Sequence, residues 1–224
     1  AEASVGELAL FVLELEDLLF DGVLGDQAVG EDREALADAM GVAEFTIVGH
    51  DWGGAIAWSV AYMGQPGGPN PAWAGRVTRA IIANAPNPFR FQHLMKTNKV
   101  QRAASQYMRD FRDPANDDLV REHGLAALLA KAIKWERSAQ MEDAERDALL
   151  ADWQDRDAAF GMLNWYRASP LDVPSMDEPF ADTPFDPAAA PKLNIPTLVI
   201  WAMDDLALPP ENLDSLDQMI PQLK

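Results

Sequence analysis

The chain has 224 residues, 48% of them apolar, with 36 Asp and Glu against 18 Lys and Arg, for a formal net charge of −18. That balance argues against nucleic acid and anionic membranes as partners, and no apolar run is long enough to span a bilayer. With no cysteine, thiol catalysis, disulfides and cysteine-based metal sites are excluded; with three histidines a histidine-rich metal site is not expected, nor is any other metal or cofactor.

The length suits one α/β domain with a sizeable insertion. The chain begins Ala1-Glu2-Ala3-Ser4 without the basic start of a signal peptide, so a cytoplasmic protein is expected. Residues 5–25 carry Leu8, Phe11, Val12, Leu15, Leu18 and Leu19 at spacings that suit an amphipathic helix. Leu10-Phe11-Val12-Leu13 within it also suits a strand. A helix is predicted over Glu31–Met40, with Gly41 as its terminating residue. Phe45-Thr46-Ile47-Val48 reads as a buried strand, 54–63 as a helix, and Gln65–Pro71 as a loop rich in Pro and Gly. Val77–Ala83 reads as a second buried strand, stopped by Asn84-Ala85-Pro86-Asn87-Pro88. Residues 92–167 are mostly helical in character, and Ser169–Pro191 is a Pro- and Asp-rich connection. Strand character returns at Ile195–Trp201, and a last helix is predicted over 211–219. The alternation predicts an α/β fold, a parallel sheet with a helical cap inserted between two strands. Residues 1–87 and 192–224 form the core in this reading, and 88–191 the cap and its connecting loop.

Between the first strand and its helix stands Gly49-His50-Asp51-Trp52-Gly53-Gly54. Small residues two before and two after a central side chain suit a sharp elbow, because a Cβ there would clash. The elbow presents Asp51 at a helix N-terminus, where N–H groups and the helix dipole favour an anion. A carboxylate so placed is aimed as a nucleophile.

These residues, with four further segments, resemble the α/β-hydrolase superfamily and, within it, the epoxide hydrolases. The elbow resembles that family's nucleophile turn, with Asp where lipases and esterases have Ser. Asn84-Ala85-Pro86-Asn87-Pro88 resembles the segment leading into the family's cap. Ser105–Pro114 resembles the motif with the first catalytic tyrosine, Tyr107. Asn164-Trp165-Tyr166-Arg167-Ala168 resembles the motif with the second, Tyr166. Pro196–Leu208 resembles the strand and acid loop, which makes Asp205 the acid of the triad, although the family usually has Gly where Ala202 stands. The resemblance covers roughly residues 30–224. The chain has only three tyrosines, Tyr62, Tyr107 and Tyr166, and two of them fall where the resemblance needs them.

The resemblance implies a small apolar epoxide and water as reactants. Asp51 forms an alkyl ester with a ring carbon, while Tyr107 and Tyr166 donate hydrogen bonds to the ring oxygen as charge develops there. The backbone N–H of Trp52 serves as one oxyanion donor during ester hydrolysis. The family's base is a His oriented by the acid, and its second oxyanion donor lies in an upstream His-Gly loop. Neither occurs here: no His follows His123, and His50, His93 and His123 are poor substitutes. The chain therefore reads as truncated at both ends. Since a positioned base contributes about 10²–10⁴-fold in rate, the chain alone is expected to alkylate Asp51 and turn over slowly. Three recognisable strands leave a bare sheet edge, so self-association into a homo-oligomer is expected. Two other readings stand beside the first. A haloalkane or haloacid dehalogenase shares the Asp nucleophile, with Trp52 available for a halide, and does not need the tyrosine pair. A non-catalytic small-molecule-binding relative would keep the pocket without the base. A serine esterase is disfavoured because neither Ser59 nor Ser105 lies on an elbow.

Overall fold

A computed structural model describes residues 37–133 and 141–224. The helix expected over 5–25, and most of the one over 31–40, fall outside the described residues. The end of the latter is seen: Gly41 takes φ +67° and its N–H bonds to the Asp38 carbonyl at 2.9 Å. A left-handed residue that satisfies a last-turn carbonyl is how such helices stop.

The chain divides into two compact units, one running to Gln101 and resuming at Phe180–Lys224, the other Arg102–Pro179. In the first unit lie β1 (Phe45–His50), α1 (Asp51–Gly64), β2 (Val77–Ala83), α2 (Pro88–Thr97) and β3 (Thr197–Ile200). The strands pair in parallel in the order β1-β2-β3, with Val48 opposite Ile81 and Ile82 opposite Val199. Parallel neighbours need a crossover connection, and α1 supplies it between β1 and β2. The core forms where Ile56, Ala57, Trp58, Val60 and Ala61 of α1 are buried along with Ile47, Val77, Ala80 and Ile82 of the strands. Trp58, fully buried, also places its indole N–H on the Ala85 carbonyl at 3.0 Å, so its one polar group is satisfied. Gln65 stitches the end of α1 to the approach of β3, donating to the Lys192 carbonyl (3.0 Å) and accepting from the Asn194 N–H (2.7 Å).

Two expectations about the strands need correction. In β1 only Ile47 is buried, and β2 alternates rather than burying throughout. The reason for β1 is that, among the described residues, it pairs on one side only. The third strand gains a second neighbour from an unexpected place: Lys224 N–H bonds to Thr197 O, and the N–H groups of Thr197 and Val199 bond to the carbonyls of Gln222 and Lys224.

The helix predicted over 211–219 is broken. Pro210–Leu213 makes a single 3₁₀ turn, Ser215 turns left-handed at φ 66°, and only Leu216–Met219 (α9 in chain order) is α-helical. Arg90 of α2 explains the break, since its guanidinium holds the Glu211 carbonyl (3.2 Å) and the Asp214 carboxylate (3.1 Å). These contacts fix residues 211–214 against α2.

The short helix α3 (Lys99–Ala104) leads into the second unit, which is helical as expected: α4 (Tyr107–Arg112), a 3₁₀ turn at Pro114–Asn116, α5 (Asp117–His123), α6 (Leu125–Ala132), α7 (Asp143–Asp152) and α8 (Arg156–Ala168). Its core gathers Phe111, Val120, Leu125, Leu128, Ala159 and Leu163. Two arginines lace α4 to α8 reciprocally, Arg112 donating to the Tyr166 carbonyl at 2.7 Å and Arg167 to the Phe111 carbonyl at 3.1 Å. Asp155 caps α8 by accepting from the Asp157 and Ala158 N–H groups, the arrangement that satisfies first-turn donors.

The inserted unit is narrower than the 88–191 read from sequence. Residues 169–179 stay with the helices because Arg102, Gln106, Arg109 and Arg112 donate to carbonyls along that stretch, among them Glu178, Pro174, Val173 and Leu171 at 2.8–3.0 Å. Residues 88–101 and 180–191 belong to the sheet unit, where Ala181 N–H bonds to Lys96 O and Phe185 packs on His93. Among the described residues no helix is long and apolar enough to cross a membrane.

Candidate active site

The site begins with a strained residue. Asp51, the first residue of α1, has φ 51°, a left-handed conformation that an L side chain adopts only when its surroundings impose it. His50 before it is extended, so the chain reverses within one residue. Two of the three glycines make this reversal fit. A Cβ on Gly49 would run into the Gly53 carbonyl and lie 2.7 Å from Ala57 Cβ, and a Cβ on Gly54 would run into Ala85 Cβ. Gly53, read from sequence as part of the same requirement, has open space where a Cβ would go. The strand and helix approach one another at Gly49 and Gly54, while Gly53 faces away. Gly49→Ala and Gly54→Ala are each expected to destabilise the fold by about 1–3 kcal/mol, the range for overpacking. Gly53→Ala is expected to be neutral or slightly stabilising, as Ala is the better helix former. Thermal melts of the three variants check this.

Asp51 remains open to solvent, yet the protein around it strips part of its hydration. This desolvation raises its pKa above the usual carboxylate value. The charge of His50 and a hydrogen bond from the Trp52 backbone N–H pull it back, and the charge of Asp205 adds a smaller rise. The Trp52 backbone N–H thus already meets the Asp51 carboxylate.

The raised pKa has two measurable consequences. Because the folded value lies above the unfolded one, the carboxyl costs nothing while protonated below the unfolded value. It then weakens the fold as pH rises through the folded value. Asp51→Asn is therefore expected to raise Tm at neutral pH and to leave it nearly unchanged in acid, which a series of melts against pH checks. Any reaction needing ionised Asp51 should have its acid limb shifted upward from the ordinary carboxylate value.

Asp205 sits beyond β3, half-buried, and is held by three donors. Its Oδ1 accepts from the N–H groups of Ala207 (2.7 Å) and Leu208 (2.9 Å), and its Oδ2 from the Asn84 side-chain amide. The loop is anchored behind it, as Gln101 donates to the Ala207 carbonyl at 3.0 Å and Trp201 to the Leu208 carbonyl at 3.2 Å. Asp51 and Asp205, predicted far apart in sequence as partners, thus lie within reach of each other's charge.

In the second unit Tyr107 and Tyr166 come together. Their rings meet edge to face at a centroid distance of 5.9 Å, and Phe111 packs edge to face on both, at 5.3 Å and 4.9 Å. Such pairs favour this geometry because a positive ring edge meets a negative face. Phe111 is buried at the core of that unit, so it acts as a fixed wedge that sets both tyrosines. Tyr62 has a different task. Its hydroxyl accepts from the Asn87 amide at 2.9 Å while Asn87 caps α2.

The three histidines are placed as follows. His50 is exposed at the elbow. His93 packs on Phe185 at 5.1 Å, and its pKa is lowered by desolvation and by Arg90. It lies in the sheet unit rather than the inserted one. His123 is exposed with Nε2 3.6 Å from Glu122. No group of three or more metal-ligating side chains occurs among the described residues. The residues that the sequence reading passed over are Asn84, Phe111 and the arginine pair. Asn84 had a weak signal, as an Asn just past a strand tolerates the left-handed turn it adopts, φ 44°. The others are known only from which helices pack together.

Comparison with known proteins agrees with this fold. The α/β hydrolase fold family matches residues 25–224. A solved structure described among novel epoxide hydrolases of the α/β hydrolase superfamily, from metagenomes of hot environments, is 60% identical with a TM-score of 0.75. It covers 89% of this chain and 64% of its own. A mutant epoxide hydrolase from Bacillus megaterium is 26% identical with a TM-score of 0.62, over 88% of this chain and 65% of its own. Epoxide hydrolase 3 of Xenopus tropicalis is 24% identical over 205 residues, 85% of this chain and 47% of that protein. The chain spans about half the length of the curated relatives it matches. With the elbow, the parallel sheet and a family match running from residue 25 to residue 224, the chain belongs to the α/β hydrolase fold family.

Proposed function

We propose that the protein opens epoxides to vicinal diols through an ester at Asp51. The observation that carries the reading is a carboxylate, not a hydroxyl, on a left-handed elbow with a backbone N–H already on it. An epoxide is strained but leaves as an alkoxide, so it needs a nucleophile at carbon and proton donation at oxygen together. Asp51 attacks a ring carbon, the C–O bond breaks, and the ring oxygen takes a proton from Tyr107 or Tyr166 with the other hydroxyl hydrogen-bonded to it. Water then attacks the ester carbonyl. The Trp52 N–H stabilises the resulting oxyanion, which collapses by breaking the bond to the substrate oxygen. That oxygen takes the water's proton to become the second hydroxyl of the diol. The negative charge of Asp205 favours that proton transfer, and with no histidine after His123 to serve as base the release is slow. Similarity to epoxide hydrolases supports the substrate class. A mutant of an epoxide hydrolase from Bacillus megaterium has been solved with its product, a naphthyloxy-propanediol, which makes an aryl glycidyl ether a suitable probe.

Incubation with phenyl glycidyl ether and, separately, with a bromoalkane tests the reading. Diol formation without halide release is expected. Halide release with no diol would instead establish the dehalogenase, which has no use for a paired set of tyrosines. The proposal also includes self-association, with Leu198 and Ile200 exposed on β3, and an assembly larger than a monomer is expected by light scattering.

A further inference from the structure

We propose that Asn84 is a positioning residue that aims the Asp205 carboxylate. The inference rests on the reading of Asp205 as the acid of the reaction. Asn84 stands just past β2 in a left-handed turn, and its backbone N–H closes onto the Ile200 carbonyl at 2.9 Å. Its side chain therefore leaves the sheet from a fixed point, level with the end of β3. The two faces of its amide are both used. Oδ1 accepts from the Ala202 N–H at 2.6 Å, and Nδ2 donates to Asp205 Oδ2. The first bond fixes the second, because a flipped amide would set two N–H groups against each other at Ala202 and two oxygens against each other at Asp205.

The acid loop is thus held at three levels. Asn84 grips its first residue and its carboxylate, the Ala207 and Leu208 N–H groups hold the other carboxylate oxygen, and buried Gln101 ties the far side. Gln101 is itself fixed, accepting from the fully buried Asn212 amide at 2.5 Å. Among the described residues, Asn84 joins the end of the strand next to the elbow strand directly to the acid. It is the link that sets where Asp205 points relative to β1 and β2, and hence to Asp51, whose ionisation already responds to Asp205. Asp205 acts in release of the ester and touches its formation only through its small charge effect on Asp51, so losing Asn84 should slow release far more than formation.

The test compares the parent with Asn84→Ala and Asn84→Asp. The rates of ester formation and of ester loss at Asp51 are followed by rapid quenching and intact mass after a pulse of phenyl glycidyl ether. Amide exchange at Ala202, Ala207 and Leu208 is measured alongside. Asn84→Ala is expected to leave formation within about twofold and to slow loss by about tenfold or more, the scale of one hydrogen bond to a charged group. Exchange at Ala202 should quicken. Asn84→Asp keeps the shape and the acceptor for Ala202, and Asp, like Asn, tolerates the left-handed turn. It donates to Asp205 only while the two carboxylates share a proton. The titratable group its side chain meets is Asp205, which in turn acts on Asp51 beside His50. Loss of the ester in that variant should match the parent at low pH and fall towards the Ala variant as pH rises.

Equal slowing of formation and loss, or a folded Asn84→Ala with unchanged loss and unchanged exchange, overturns the proposal. A parent-like pH profile for Asn84→Asp overturns it too. If the parent forms no ester, the epoxide reading fails on its own, and the exchange data decide the placement. Faster exchange across the loop upholds it and unchanged exchange rejects it.

Discussion

Asp51→Asn is expected to abolish epoxide opening, lowering the rate on the order of 10⁴-fold or more, as loss of a covalent nucleophile does elsewhere. The amide keeps the size of the carboxylate and can still accept the Trp52 N–H, so the elbow should stay folded. At neutral pH the variant should even melt higher, since a partly desolvated charge has been removed. Loss of reaction together with a gain in stability distinguishes a strained functional residue from a structural one. Active-site residues are often held at a cost to the fold. A variant that unfolds, or one that keeps its rate, contradicts the assignment. Circular-dichroism melts and a diol assay on the same sample decide between these outcomes.

The second large effect is expected at the tyrosines. Tyr107→Phe or Tyr166→Phe should each lower the rate of ester formation by about 10²–10³-fold, the usual loss for one donor aimed at developing charge. The substitution keeps the ring, and with it the edge-to-face contacts with Phe111. Stability should therefore change little, and the loss appears in the chemical step. Removing both hydroxyls should cost less than the sum of the two single losses, because one remaining donor already leaves a crippled site. Unchanged epoxide opening in the double variant would assign the pair to the core of the helical unit and nothing more. Single-turnover rates by quenched flow, with melts alongside, make the measurement.

Much of this was legible in the sequence because local chemistry fixes it. Gly49, two before Asp51, stands where strand and helix nearly touch and a Cβ would meet Ala57, whereas the crowding expected at Gly53 falls instead at Gly54, against the Ala85 methyl group. The parallel strands announced themselves as short apolar runs with a helix between, and the last of them, Thr197–Ile200, lies where the run does. What stayed hidden depends on contacts distant in the chain. Nothing near Ser215 in sequence says that Arg90, more than a hundred residues earlier, will hold the segment before it and break the last helix. The narrower inserted unit depends on side chains that reach 60–80 residues forward, such as Arg109 to Val173 and Arg102 to Glu178. Burial of β1 was overestimated because an apolar run specifies a strand but not how many neighbours it has. From sequence Asn84 belongs only to the segment that stops the second strand and leads into the cap, and its tie to Asp205 spans 121 residues.

The central claim is that Asp51 becomes covalently attached to the substrate. Intact mass followed by peptide mapping, after rapid quenching of the protein with phenyl glycidyl ether, tests it most directly. The account predicts a gain of one substrate mass on the peptide that contains Asp51, absent from Asp51→Asn and formed before diol appears. Diol appearing while that peptide remains unmodified at every time point, or an adduct on another residue, would contradict it.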